Sequence, residues 1–415
     1  SNMKKLLLTV SALLAGAGAS PLVSALDLSL EAGIEGRRFL ESGAYSGQVD
    51  DQWSLTLQPE VVWDAESGNG RFTFVPFYRK DFADDERTHG DIREAMFMTW
   101  NGPWELRAGI GKVFWGVTES LHLVDVINQT DYVEAIDGDQ KLGQPMIQGI
   151  WLSDVGTWEA FVLPGFRERT FPGEAGRYRT ELLVSGDAEY QADEEQQHVD
   201  LAARWSYVSE LNGYPLDLTA SVFRGTSRDP LLAPQVEVVN SVLTLTELVP
   251  YYAMQNQIGS TIQFAPEGWL LKAELLYRDY QLDALPGGIE VKDQTAAVGG
   301  FEYTLVGPFG NAADLGLLAE YQYDSRGAEY SDAQNDLFLG TRYVFNDMAS
   351  SEILAGITQD LDYTGTRLFL LEANTRLNPS MTIDATITLV TAEEESLASI
   401  FRRDDTFEVA LNFFF

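Results

Sequence analysis

From Leu26 to Phe415 apolar and polar side chains alternate in segments of about ten residues, each followed by a turn or a loop. Trp53-Leu55-Leu57, Trp104-Leu106-Ala108-Ile110, Val199-Leu201-Ala203-Trp205-Tyr207 and Trp269-Leu271-Ala273-Leu275-Tyr277 stand at every second position, with mostly polar, charged or small residues between them. Leu315-Leu317-Ala319-Tyr321-Tyr323 and Met381-Ile383-Ala385-Ile387-Leu389 repeat the pattern near the C-terminus. A period of two sends successive side chains to opposite faces of a strand, so each segment carries one apolar face. After residue 25 the chain has no continuous apolar stretch of the roughly 20 residues a membrane-crossing helix needs. A sheet closed on itself is the other spanning solution, because it satisfies every backbone donor and acceptor between strands. Alternation alone leaves a soluble all-β protein as the alternative.

The segments number roughly 18, or 16 if the weaker pieces near 92–100 and 147–153 are not both strands. The expected fold is all-β, a transmembrane antiparallel up-and-down barrel with an even strand count and both termini on one side, read as the periplasmic one. Short connections are expected at Glu66-Gly70, Asn101-Pro103, Asp154-Gly156, Pro266-Gly268, Gly307-Asn311 and Asn378-Ser380. Longer, acidic ones near 37–51, 81–90, 113–146, 165–195, 226–253, 325–334 and 391–403 are expected at the opposite, extracellular end.

Met3, Lys4 and Lys5 precede the apolar run Leu6 to Ala19, and Val23-Ser24-Ala25 offers small residues for cleavage, so residues 3–25 read as a secretory signal peptide. Ser1 and Asn2 before Met3 read as a cloning scar. The mature barrel is then 26–415. There is no cysteine, so no disulfide framework supports an exported chain of this kind. The formal charge of -35 becomes about -37 without Lys4 and Lys5. Such an excess makes nucleic acid an improbable partner, and either keeps a protein soluble or sets a field that favours cations.

The last segment, Phe407-Glu408-Val409-Ala410-Leu411-Asn412-Phe413-Phe414-Phe415, ends on an aromatic. Its Phe413 and Phe415 resemble the terminal signal that bacterial outer-membrane barrels present to the barrel-assembly machinery. Gly111-Lys112, Trp115-Gly116, Thr118-Glu119 and the later Asp125-Val126-Ile127-Asn128 also resemble a segment of porin-type barrels of unassigned substrate. The resemblance implies a bacterial outer-membrane location, a passive and possibly substrate-biased channel, small-molecule solutes, and contact with outer-membrane lipids and lipopolysaccharide. It names neither solute nor oligomeric state.

On the face opposite the apolar one, alternation points Asp27, Glu31, Glu60, Glu105, Asp200, Asp217, Glu274, Asp314, Glu320, Asp336, Glu372 and Asp384 inward. Arg71, Arg107, Arg204, Lys272, Arg278, Arg342 and Arg376 point the same way. A basic residue at mid-depth against lipid costs about 2 to 4 kcal/mol, so these charges require a wet or internally paired lumen. Val113 to Asp131 is too apolar for a solvated loop tip. Thr118 or Ser120 is expected to cap a short helix with Leu121, Val124 and Ile127 on one side, in a loop, 113–146, that folds inward and narrows the channel. The expected pore-lining and constriction residues are Arg71, Arg107, Trp115, Glu119, His122, Asp125, Asp131, Arg204, Glu274 and Arg342. Val236 to Tyr252 is equally apolar, and either folds inward or packs on the rim or a subunit.

Enzyme readings are weak. His89, His122 and His198 are far apart and lack zinc-ligand spacing, and Asp84-Asp85-Glu86, Asp137 with Asp139, and Glu393-Glu394-Glu395 read as solvated loop faces. A barrel-embedded hydrolase would draw on His198 with Asp200 or His122 with Ser120, the local pairs at hand. A surface-interaction barrel with acidic loops is the other alternative. No catalytic residue, cofactor or metal is expected.

Overall fold

The computed structural model describes residues 26–415, so the expected signal peptide and the two residues before it lie outside the described residues. The alternating segments form β1 (Leu26–Phe39), β2 (Asp51–Asp64), β3 (Gly70–Asp81), β4 (His89–Asn101), β5 (Trp104–Gly111) and β6 (Gln144–Ser153). They continue as β7 (Gly156–Pro164), β8 (Val199–Leu211), β9 (Tyr214–Thr226), β10 (Met254–Phe264), β11 (Trp269–Tyr280) and β12 (Gln294–Val306). The last six are β13 (Asp314–Asp324), β14 (Asn335–Val344), β15 (Glu352–Asp360), β16 (Arg367–Asn378), β17 (Met381–Thr391) and β18 (Thr406–Phe414). Neighbours in chain order pair antiparallel, and β1 closes the ring on β18 from Glu31↔Phe414 to Phe39↔Thr406. The result is a closed 18-stranded barrel in which both weaker segments are strands.

Alternation becomes two surfaces. Trp53, Leu106, Val222, Ile258, Leu275 and Leu339 are exposed on the outer wall, an apolar surface that only hydrocarbon covers well. Register brings Trp104 against Trp151 and Trp158 against Trp205 on that wall, the first pair stacked with ring centroids 5.5 Å apart. Both pairs lie beside the short turns, where an interfacial aromatic girdle belongs. Among the described residues no helix is long and apolar enough to cross a membrane.

Leu26 and Phe415 lie at the end that carries the short turns. Two turns join the six expected there, Asn212-Gly213 and 345–351. Asn212 and Gly213 both have positive φ, 53° and 81°, which is what a two-residue hairpin twisted like its strands requires. At the opposite end, connections 281–293 and 361–366 join those expected.

Residues 231–252 do not fold inward. Leu231–Val239 and Val242–Tyr252 form a hairpin outside the barrel ladder, turning at Asn240 and Ser241. Its base packs on Leu282, Leu285 and Val291, while Val236, Val238, Leu243 and Leu245 near the tip are exposed.

Candidate functional site

A glycine fixes the root of a long loop. At Gly143, where the chain rejoins the wall, a Cβ would lie 1.9 Å from the Ile92 carbonyl oxygen, so a larger residue would push the loop off the wall. Residues 112–143 then run inside the barrel as a strap. Its neck is closed by Asn128, whose Oδ1 accepts the Val113 N–H at 2.8 Å and whose Nδ2 donates to the Gly111 and Leu142 carbonyls. Trp115, Val124, Val126 and Ile127 bury themselves on inward-facing Met96, Met146, Phe161, Leu163, Ala202 and Phe223 of β4, β6, β7, β8 and β9.

The expected helix is absent from this strap. Its backbone amides find carboxylates on the wall instead of carbonyls one turn back. Glu274 on β11, wholly buried, accepts the N–H groups of Val117 at 2.7 Å, Thr118 at 3.0 Å and Val124 at 3.1 Å, and the Thr118 hydroxyl at 2.7 Å. Glu320 on β13 accepts the N–H groups of Glu119 at 2.7 Å and Ser120 at 2.8 Å, and the Ser120 hydroxyl. Charge-assisted bonds of this kind are the strong ones, and they hold the chain extended. Since the strap leaves the wall at β5 and returns at β6, a hold on β11 and β13 carries it across the lumen.

The return arm is fixed by an ion-pair lattice. Asp131, wholly buried, pairs with Arg93 at 2.7 Å and His89 at 3.0 Å, and Glu134 takes two Arg79 bonds of 2.7 Å. Glu35 on β1 faces Arg37, Arg79 and Arg87. His89, Asp131 and Glu134 offer ligand-type atoms close together, yet arginines already occupy both carboxylates. A cation added there would meet guanidinium groups rather than open lone pairs.

A second strap went unread in the sequence. Residues 165–198 leave β7 and cross the mouth to the β1–β2 and β17–β18 connections. There the fully buried Arg177 side chain binds Asp404 at 2.8 Å and the carbonyls of Glu41, Val49 and Arg403, with the Phe39 ring 4.3 Å below. Tyr178 N–H donates to the other Asp404 oxygen at 3.1 Å. The straps also bind each other: the Thr170 hydroxyl donates to Asp131 at 2.9 Å and accepts the Val133 N–H at 3.1 Å, and the Tyr132 hydroxyl donates to the Tyr178 carbonyl. Arginines spread along a polar segment give no hint of partners more than two hundred residues away.

The structure gathers some of the sequence-derived residues and separates others. Glu119, His122, Glu274 and Arg342 meet where the strap approaches β11 to β14. Arg342 reaches Glu119 at 2.7 Å, Glu352 at 2.6 Å and Glu302 at 3.3 Å. His122 lies 3.3 Å from Asp139 and 3.8 Å from Glu274, and these carboxylates push its pKa up to about 10 against the effect of burial, so it is a cation at neutral pH. Trp115, however, is packed edge-on against Phe161 under the strap, with Arg204 over its ring and paired to Glu159. Asp125 accepts the Trp115 and Gly116 N–H groups at 2.6 and 2.9 Å and so shapes the strap. Asp131 belongs to the buried lattice. Arg107 pairs with Glu105 on its own strand, and Arg71 pairs with Asp64 beside a short turn, away from the strap.

Water reaches part of this interior. Asp139 and Asp229, on connections inside the barrel's rim, keep 55% and 53% of their side-chain surface exposed. Glu119, His122, Glu302, Arg342 and Glu352 are partly exposed around the same space. Glu372 lies within electrostatic reach of Glu119, Asp137 and Asp139. The pairs proposed for catalysis are otherwise engaged: Asp200 holds His198 at 2.8 Å but also Arg228, and the Ser120 hydroxyl serves Glu320.

No protein-family model and no curated protein matches the chain. Among solved structures, OccD3 (OpdP) of Pseudomonas aeruginosa superposes with a TM-score of 0.50 at 13% identity, over 96% of this chain and 93% of that one. The fold is that of a porin-type barrel. OprB of Pseudomonas putida gives a TM-score of 0.47 at 10% identity over 95% of each chain. A Rhodobacter blastica porin variant gives 0.43 at 14% identity, over 94% of this chain and 100% of that one. In this porin-type barrel the two straps, rather than the wall alone, shape the interior.

Proposed function

We propose that the chain is a bacterial outer-membrane channel for passive diffusion of small solutes, in which strap 112–143 sets the constriction and cations are preferred. The observation that carries the reading is the partly exposed, charged space between that strap and β12 to β16, inside a closed wall whose outer face is apolar. Glu119, Asp137, Asp139, Glu302, Glu352 and Glu372 face this space against Arg342 and protonated His122, a surplus of negative charge beside the strap. A charge ring of one sign in a low-dielectric wall raises the local concentration of the opposite ion. The short turns and both termini then face the periplasm and the long connections the outside. Phe413 and Phe415 serve assembly, and the apolar wall meets outer-membrane lipid. Single-channel recording in planar bilayers tests the reading. Steady conductance with a reversal potential on the cation side is expected, and a protein that assembles but passes no ions overturns it.

A further inference from the structure

We infer, on the proposed orientation with the long connections outside, that the far rim of the outer wall binds a phosphorylated glycolipid of the lipopolysaccharide type. Its phosphate sits on Arg224 and an acyl chain lies in the groove beside it. Among the described residues, Arg38, Lys80, Arg224 and Arg367 are the basic side chains on barrel strands that alternation turns outward, and each stands at the far end of its strand. The outward acids Asp51 and Asp279 stand at the same level, so the strands carry no charge on the rest of the outer wall. In a chain of formal charge -35, the lipid-facing wall is therefore basic at one rim. A basic side chain is costly against hydrocarbon but not at the headgroup level, where it attracts anionic lipid.

Arg224 differs from the others in what lies next to it. Arg38 pairs with Asp51 and Lys80 lies 3.9 Å from Asp85, whereas Arg224 and Arg367 have no acid within ion-pair distance among the described residues. Register sets Arg224 of β9 beside Asn256 of β10 on one side and Leu201 of β8 on the other. One outward step further down the wall, Val222 lies between Ala203 and Ile258. The small Ala203 side chain, between Leu201 and Trp205 on its own strand, leaves a groove of about 390 Å³ headed by Arg224 and Asn256. Leu201, Val222 and Ile258 on its sides are 53%, 52% and 59% exposed. An apolar groove that ends in an exposed guanidinium thus stands on the lipid face, at headgroup level.

The charges select among lipids. A guanidinium presents a rigid fork of donors that matches phosphate oxygens two at a time. A phosphate monoester on a sugar carries about −1.5 to −2 at neutral pH, more than the single charge of a phosphodiester. A zwitterionic phospholipid brings its own cation towards Arg224, which repels it. Asn256 Nδ2 reaches Asp279 at 3.4 Å, so the next charge along the rim is acidic and further disfavours a second anion there. One monoester phosphate with an acyl chain attached close by fills both parts of the site, a role independent of whether the barrel conducts.

The test is native mass spectrometry of the folded barrel in detergent, titrated with lipid A, dephosphorylated lipid A, phosphatidylglycerol and phosphatidylcholine. Wild type is expected to retain one lipid A per chain about tenfold more tightly than any of the other three. R224Q should weaken that retention by about tenfold, because it removes the charged fork. A203F, which fills the groove and alters no charge, should weaken it as well, while the control R367Q should leave it unchanged. Single-channel conductance should match wild type in all three, since none of these side chains faces the lumen. If R224Q does not fold, R224K, which keeps the charge and loses the fork, carries the test through a partial loss. Retention equal to wild type in R224Q or in A203F overturns the site, as does equal binding of dephosphorylated lipid A or phosphatidylglycerol to wild type. The orientation is checked separately with S241C at the hairpin tip, in a chain without cysteine, which should react with an impermeant thiol reagent on intact cells. Labelling with lipid A retention indifferent to R224Q overturns the site alone, and failure to label overturns the orientation and with it the outer-leaflet lipid.

Discussion

Thr118 and Glu274 meet across the lumen: the carboxylate on β11 accepts both the N–H and the hydroxyl of Thr118, at 3.0 and 2.7 Å. With Val117 and Val124 also donating to it, this one side chain decides where the strap lies.

Glu274→Ala leaves those donors unpaired, each at about 1–3 kcal/mol when buried. The strap is then expected to leave its wall site, and single-channel conductance to rise about twofold or more with added current noise, because a constriction dominates the series resistance of a pore. Glu320→Ala should act in the same direction. Planar-bilayer recording of the two variants beside wild type checks this, and a current trace unchanged in both rules the strap out as the constriction.

Glu119 and Asp125 sit in one strap but answer to different tests. Glu119→Gln with Asp139→Asn removes two charges from the wet side and should reduce cation preference, read as a smaller reversal potential in a salt gradient. Asp125→Asn weakens the acceptor of the Trp115 and Gly116 amides, so it should loosen the strap with little change in selectivity.

Arg177 is the pin of the second strap. Removing one partner of a buried, hydrogen-bonded ion pair costs about 3–5 kcal/mol, since the other is left uncompensated. Arg177→Met should therefore lower the denaturant midpoint of the folded barrel and expose the mouth, seen as faster proteolysis within 165–198. The Arg71→Met control at a short turn, where the Asp64 pair is exposed, should leave both unchanged.

The barrel was legible because lipid and water take alternate residues of every strand, so the pattern survives any loop. The need for cover along 113–131 was legible for a related reason: Leu121, Val124 and Ile127 ask for contacts that a solvated tip cannot give. The segment's conformation was not, because the groups that hold it, Glu274 and Glu320, lie more than 140 residues away and replace the helix's own carbonyls. The same distance hid the second strap, whose Arg177 finds Asp404 only once β1 has closed on β18. Residues 236–252 left inward folding and packing at the rim both open by composition: Asn240-Ser241 between two β-branched runs is a hairpin signal, and the apolar density belongs to strands.

Asp131 and His122 give the strap opposite pH limits. Burial works to raise the Asp131 carboxyl, but the His89 hydrogen bond and charge, with Arg93, outweigh it and lower its pKa from 3.8 to about 2. Its folded value lies below its unfolded one, so its contribution is complete above about pH 4 and is lost as pH falls through 2. His122 is raised from 6.5 to about 10, so its contribution is complete below 6.5 and is lost as pH rises through 10. The stability gap between wild type and Asp131→Asn should therefore narrow in acid as pH falls toward 2, and that between wild type and His122→Gln should narrow in alkali as pH rises toward 10. Denaturant unfolding followed by tryptophan fluorescence across that range measures both.

Phe415 separates assembly from stability. Its backbone pairs with Leu30 in both directions, at 2.9 and 3.1 Å, while its ring is 70% exposed on the outer side of the rim. Phe415→Ser keeps both backbone bonds and gives up little packing, so the purified, refolded variant should match wild type in heat-modifiability and denaturant midpoint. If the terminal aromatic is read by the assembly machinery, the same variant should nevertheless accumulate in the periplasm and fall about tenfold in the outer-membrane fraction, a loss of roughly 1.4 kcal/mol in recognition. Phe413, which is partly buried and faces Ala32 and Met381 across its strand, should instead lower stability and assembly together when replaced by Ser. Fractionation and refolding of the two variants decide between a signal and a packing contact. Outer-membrane levels of Phe415→Ser equal to wild type would show that the final residue is not a signal.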